Sequence, residues 1–297
     1  MSRIQEILSK AERDGTVRRT RALNDGGTAI ASPPVSAPRL QSPSFEPASM
    51  PWTAAATAAA LEDSEVATAT PTLDPRLVAA LAPQAPAAER YRLLRTRIKR
   101  AENGRNVRAI VVTSPAKGDG KSLTAANLAL TMAQEFHQRV LLLDADLRRP
   151  SIASLFAIAE SPGLSDVLLG LHDVERALVH LPDQHLTVLP AGSPAAQPAE
   201  LLGSAAMRRT LDALRTRFDR ILIDLPPVAP LADVHVVSPL ADGLLMVVRA
   251  GITPKPAIER ALSGLDMGKV LGLVLNAAGG PEGGDGYGED GYGYIAG

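Results

Sequence analysis

Six short runs of valine, isoleucine and leucine recur along the second two-thirds of the chain, at residues 109–113, 140–143, 186–189, 221–223, 244–248 and 271–275. They are near-continuous rather than alternating, as strands read when both faces of a parallel sheet are covered. Helix-like stretches lie between them, notably 122–136, 198–218 and 256–265. The alternation predicts an α/β fold, a mostly parallel sheet flanked by helices, with ligand beyond the carboxyl ends of the strands. Just upstream, residues 87–101 read as a helix. Tyr91, Leu94 and Ile98 share one side of it, and Glu89, Arg92 and Arg95 sweep an adjacent arc.

The amino-terminal part has a different pattern. Ile4, Ile7, Leu8 and Ala11 follow helical spacing, which predicts a short amphipathic helix within residues 1–21. A helix this short is marginal alone and needs a partner surface. Residues 22–86 show no sustained period and hold ten of the 24 prolines, set among Ala, Ser and Thr. That composition predicts a linker that stays disordered. The domain is therefore expected over 87–280, followed by a Gly-rich, acidic tail over 281–297. Three of the four tyrosines, Tyr287, Tyr292 and Tyr294, lie in that tail, where no core can form around them.

The first apolar run leads into the chemistry. Residues 109–130, AIVVTSPAKGDGKSLTAANLAL, read as strand, glycine-containing loop and helix in that order. This context makes the Gly120-Lys121-Ser122 triplet a phosphate-binding loop. Lys117, Gly118, Asp119, Gly120, Lys121, Ser122 and Leu123 form the candidate nucleotide-binding set. Backbone N–H groups of 118–122 would surround a triphosphate, helped by the positive end of the helix dipole. Lys121 would reach the β/γ-phosphates, and the Ser122 hydroxyl would ligate Mg2+. The usual first glycine of this loop is replaced by Pro115.

Two further apolar runs end in acids. RVLLLDADLRRP places Asp144 and Asp146 two residues apart, followed by Arg148, and RILIDLPPV ends in Asp224 before two prolines. Carboxylates at strand tips beside a phosphate loop can hold the waters of Mg2+ or accept a proton from a nucleophile. Composition excludes other chemistries. No cysteine is present, which removes thiol catalysis and cysteine–zinc sites, and the five histidines lack metal-ligand spacing. A net charge of −1 gives no general attraction to nucleic acid. No apolar run approaches the ~20 residues of a membrane span. The first residues lack a secretory leader's apolar core. These features predict a cytoplasmic protein.

With these motifs in place, the sequence resembles the bacterial tyrosine autokinases of capsule and exopolysaccharide loci, the soluble cytoplasmic type. SPAKGDGKS is similar to the Walker A motif of that family, LLLDADLRRP to its Walker A′ and LIDLPPV to its Walker B. Glu89-x-x-Arg92-x-x-Arg95 resembles the motif through which its members self-associate into rings. LPAGSPAAQPAELL resembles its proline-bearing loop, and the tail tyrosines its tyrosine cluster.

The resemblance implies ATP and Mg2+ as cofactors and autophosphorylation of Tyr287, Tyr292 and Tyr294. It implies that Asp144 and Asp146 divide the roles of proton acceptor and metal partner, with Ser122, Asp146 and Asp224 on the metal side. It also implies that Arg148 contacts phosphate or braces the loop, and that Asn276 contacts the adenine. The implied partners are further copies of the chain, a membrane-spanning chain-length or co-polymerase activator at the inner face of the plasma membrane, and a phosphotyrosine phosphatase. Two alternatives share the loop: a partition or septum-site ATPase switch, and a non-catalytic nucleotide-binding adaptor of a polysaccharide exporter. The ATPases carry a lysine where this chain has Ala116.

Overall fold

The computed structural model describes residues 72–135 and 138–277. Seven strands form one sheet: β1 (Ala109–Thr113), β2 (Val140–Asp144), β3 (Val179–Leu181), β4 (Leu186–Leu189), β5 (Arg220–Asp224), β6 (Gly243–Arg249) and β7 (Val270–Asn276). Their order is β3-β4-β2-β5-β1-β6-β7, and every neighbouring pair is parallel except β3 with β4. All five residues of β1 and of β2 are buried, which explains why these strands read as unbroken apolar runs. β3 went unseen in the sequence because it is three residues long, and His180 at its centre is exposed.

Alternation along the strands divides the core in two. Ile110 and Val112 pack on one face with Leu142, Leu222 and Leu245, beneath α2, the helix that follows the loop. Ala109 and Val111 pack on the other face with Leu141, Ile223 and Met246. The long helices are α1 (Pro86–Ala101), α2 (Lys121–Ala133), α3 (Ala205–Arg217) and α4 (Lys255–Ser263). α2 is buried almost continuously from Thr124 to Ala133, because α1 covers its outer side. On the opposite face, Met207, Leu211 and Leu214 of α3 and Ala261 of α4 close the second core.

The helix expected over 198–218 is divided. A short helix, Pro198–Leu202, ends at Gly203, and α3 restarts behind Ser204, whose hydroxyl accepts the Met207 N–H at 3.3 Å. A glycine followed by a serine N-cap is a break-and-restart signal.

The linker expected over 22–86 also stops earlier. Residues 72–86 pack on the domain, with Leu77 fully buried and Val78–Leu81 forming one helical turn. Asn127, buried on α2, holds this segment: its Oδ1 accepts the Ala79 N–H at 3.0 Å and its Nδ2 donates to the Arg76 carbonyl at 3.1 Å. Pro75, Pro83 and Pro86 made this stretch look like linker, yet Pro86 is the first residue of α1, where a proline N–H is not missed. The amphipathic helix near the amino terminus, the linker up to residue 71 and the tail tyrosines lie outside the described residues. No helix among the described residues is long and apolar enough to cross a membrane.

Burial of Leu77 makes the early segment part of the core. Leu77→Ala should lower the unfolding free energy by about 2–4 kcal/mol, measured by urea denaturation. A loss no larger than that of an exposed-site control would mean that the segment contributes nothing to the core.

Candidate active site

Strand register brings the acidic residues together. β1, β5 and β2 lie side by side, with Val112 opposite Asp224 and Asp224 opposite Asp144. The three strands therefore end level, and their connecting turns share one crevice at the carboxyl edge. The loop after β1 enters α2 through Gly118 and Gly120, whose φ values are +87° and +92°. At Gly120 the left-handed φ strains any residue with a side chain, and a Cβ there would also fall 2.0 Å from Asn276 Nδ2, so the position favours glycine. Asn276, at the end of β7, donates that Nδ2 to the Asp119 carbonyl at 2.9 Å. The Asp119 carboxylate turns inward, accepting the Ala116 N–H at 2.9 Å and the Thr253 hydroxyl at 2.7 Å. This side chain shapes the loop.

Lys121 reaches across the crevice. Its Nζ lies 2.8 Å from Asp146 Oδ2, 3.4 Å from Asp224 Oδ2 and 3.0 Å from Ser122 Oγ. A cavity of about 730 Å3 opens over this group, lined by Gly118, Gly120, Lys121, Ser122, Asp146 and Asn276 among others. Lys117 and Leu123 also line it, Lys117 exposed and Leu123 half-buried. Asp144 sits deeper. Its Oδ1 accepts the Asp146 N–H at 3.1 Å, and its Oδ2 accepts the Ser151 and Ile152 N–H groups at 3.1 and 3.0 Å. Of the two carboxylates that the sequence left interchangeable, Asp146 faces the cavity and Asp144 frames the loop behind it.

These coordinates match a known architecture. The family profile described as "ParA: NUBPL iron-transfer P-loop NTPase" covers residues 106–277. The match spans the loop and both acidic strand ends, while the chain has no cysteine with which to carry iron. The tyrosine-protein kinase YwqD of Bacillus subtilis is 36% identical over 202 residues, which is 67% of this chain and 85% of that protein. The chain belongs to the bacterial tyrosine kinases. The succinoglycan biosynthesis transport protein ExoP of Rhizobium meliloti is 34% identical over 66% of this chain, a match that spans only 25% of that longer relative. Among solved structures, the chimerical protein CapA2B2 superposes with a TM-score of 0.64 at 31% identity, covering 67% of this chain and 88% of that one. The kinase domain of Escherichia coli ETK gives a TM-score of 0.64 at 27% identity, over 71% of this chain and 84% of that one.

In this tyrosine kinase, several side chains sit differently from their expected roles. Arg148 is turned to Asp233, with Nε and Nη2 donating to its carboxylate at 2.7 and 3.1 Å, so it braces the wall of the cavity. Glu89, Arg92 and Arg95 lie on α1, outside the cavity. Arg92 contacts Glu89 at 2.7 Å and the Pro83 carbonyl at 2.7 Å. Arg95 contacts Glu135 at 3.1 Å and the Thr131 carbonyl at 2.6 Å. Both arginines thus tie α1 to its own domain, and Glu89 remains the exposed member of the motif. Sequence reading missed Asp233, Thr253, Arg149 and Arg249. Arg249 had a usable signal, since it closes the apolar run LLMVVR as Asp144 and Asp224 close theirs.

The electrostatics follow from burial. Burial opposes the charge on Lys121, but Asp224 and Asp146 outweigh it and raise the ammonium's pKa. Burial, reinforced by Asp224, pushes the Asp144 carboxyl up to about 7. Burial also raises Asp224, to about 6, against the opposing pull of Lys121 and the Ser122 hydroxyl. An unfolded aspartate titrates near 3.9. Between about pH 4 and 7, the folded state therefore holds more protons than the unfolded one, and stability falls as pH rises. In protein free of nucleotide and Mg2+, the fall in unfolding free energy across this window should be shallower in Asp224→Asn than in wild type. Equal slopes in chemical denaturation would show that Asp224 is already ionised throughout.

Proposed function

We propose that this chain is an ATP- and Mg2+-dependent protein-tyrosine kinase that phosphorylates Tyr287, Tyr292 and Tyr294 of its own carboxyl-terminal segment. In this reading it serves the polymerisation and export of a surface polysaccharide. The observation that carries the proposal is the convergence of Lys121, Ser122, Asp146 and Asp224 at the mouth of a loop whose position 120 favours glycine.

The donor set fits Mg2+: a serine hydroxyl and aspartate oxygens are hard ligands, and the buried Asp224 carboxylate, with its raised pKa, gains from a nearby cation. Ser122 and Asp224 would hold it, which leaves Asp146 to act as the base. When bound, Mg2+ neutralises phosphate charge in the way common to loop-type nucleotide sites. Lys121, released from its two carboxylates, takes the β/γ-phosphates. Lys117 and the backbone N–H groups of Gly118 to Leu123 complete the phosphate cradle, and Asn276 marks the adenine side. The tyrosine oxygen forms the new bond to the γ-phosphorus as the bond to the β-phosphate oxygen breaks, and ADP departs. The phenolic proton goes to Asp146, the carboxylate of its pair that lines the cavity, while Asp144 holds the geometry of the turn.

Self-association through α1, a membrane-spanning co-polymerase at the plasma membrane and a phosphatase that reverses the modification complete the proposal. Arg92 and Arg95 bond to carbonyls and Glu135 of their own domain. Among the described residues Glu89 pairs only with Arg92, and it is the most exposed of the three, so we assign it the contact with a second copy. Glu89→Lys should lower the oligomer mass measured by light scattering without lowering thermal stability. An unchanged mass in an oligomeric parent would remove α1 from the interface. The matched profile favours one second reading, an ATPase switch. Incubation with Mg-ATP followed by phosphotyrosine mass spectrometry separates the two, because a switch releases phosphate and leaves the tyrosines unmodified.

Lys121→Met should reduce phosphotyrosine formation by about 100-fold or more with the fold retained. Asp146→Asn should lose transfer at near-normal stability. Asp144→Asn should in addition lower the melting temperature, because its oxygens hold three backbone N–H groups. Near wild-type phosphotyrosine in Lys121→Met would sink the assignment of the loop.

A further inference from the structure

The cavity carries more positive charge than the phosphate chemistry uses. Lys121 serves the phosphates in the proposed reaction, while Arg148 is paired with Asp233 and Arg76 with Asp74. Arg149 and Arg249 line the same cavity, both are exposed, and neither has a carboxylate partner among the described residues. Each is anchored at its backbone: the Arg149 N–H donates to Asp146 Oδ1 at 3.1 Å and the Arg249 N–H to Thr253 Oγ1 at 3.0 Å. One guanidinium nitrogen of Arg249, Nη1, also donates to the Gly118 carbonyl at 3.3 Å.

The chain leaves the described residues at this rim. Arg249 is opposite Asn276 in the β6–β7 register, and Ala277, the next residue, lines the cavity. Beyond it the sequence holds Glu282, Asp285, Glu289 and Asp290 around the three tyrosines, with no lysine, arginine or histidine. Tyr287 is ten residues past Ala277, so the chain limits it to within about 35 Å of that rim. An arginine fork donates two parallel hydrogen bonds to a carboxylate, and a cleft lined by one sign of charge concentrates the opposite one.

We propose that Arg149 and Arg249 are the docking residues for the acidic tail, drawing Glu282, Asp285, Glu289 and Asp290 to the rim so that a tyrosine between them enters the cavity. The proposal rests on the tyrosine-kinase reading and adds a specificity rule: acidic residues beside the tyrosine select the substrate. It applies equally to a chain's own tail and to that of a neighbouring copy. A flat anionic membrane fits the site less well, because both arginines line a concave site shared with the phosphate loop.

The test uses the full-length chain with its four tail acids neutralised (Glu282→Gln, Asp285→Asn, Glu289→Gln, Asp290→Asn), so that its own tail does not compete. A fluorescent peptide of residues 278–297 and a second peptide with the same four neutral replacements are titrated by anisotropy. The native peptide should bind roughly tenfold more tightly than the neutral one, and salt should erase the difference. Adding Arg149→Gln with Arg249→Gln should weaken the native peptide to the level of the neutral one and leave the neutral one unchanged. Equal affinity of the two peptides, or an unaltered native affinity in the double arginine variant, overturns the proposal. So does a double variant that loses affinity for phosphatidylserine vesicles but not for the native peptide. Mg-ATP is then added to the same samples and phosphotyrosine on the bound peptide is measured. Charge-selective binding without phosphotyrosine refutes the kinase reading and leaves the docking site standing.

Discussion

One ammonium group holds the crevice together. Lys121 stands among Asp144, Asp146 and Asp224, three carboxylates that strand register forces to the same edge of the sheet. Without it, their mutual repulsion would have no internal counter-charge. With it, one lysine still faces three acids, and burial keeps Asp144 and Asp224 protonated at pH values where an exposed aspartate has ionised. Such a cluster adds little to stability. Its value is chemical: a divalent cation would relieve an excess of negative charge already present in the fold.

The phosphate loop is shaped from the far edge of the sheet as much as from its own sequence. Asn276 on β7 and Thr253 after β6 both bind Asp119, and Asn276 packs where a side chain on residue 120 would sit. β7 is the edge strand next to β6, with Leu273 and Leu275 exposed. The loop's conformation therefore depends on the edge strand keeping its register. A change at this edge reaches the loop directly, through the hydrogen bonds of Asn276, Thr253 and Arg249.

The helix that carries Glu89, Arg92 and Arg95 shows how one motif serves two ends. Arg92 and Arg95 spend their donors on Pro83, Thr131 and Glu135, which locks α1 over α2. α2 begins with Lys121 and Ser122. Glu89 therefore sits on a helix already fastened to the one that starts the site.

Much of this was legible in the sequence. Strands buried on both faces have no choice but to be apolar, so 109–113 and 186–189 were bounded correctly and the others to within one or two residues. The loop, Asp144, Asp146 and Asp224 stood out because polar residues at the ends of apolar runs are few, and their chemistry depends on local order. What the sequence could not supply were contacts between distant segments. Leu77 became core because Asn127, fifty residues on, accepts and donates to its neighbours. Arg148 turned to Asp233, eighty-five residues away, rather than to a phosphate. Asp144 and Asp146 were equivalent on paper, and the bend after β2 separated them by giving one to the backbone amides and the other to the cavity. Periodicity and composition report which residues leave water. Which polar group meets which is decided only when the sheet closes and places remote strand ends side by side.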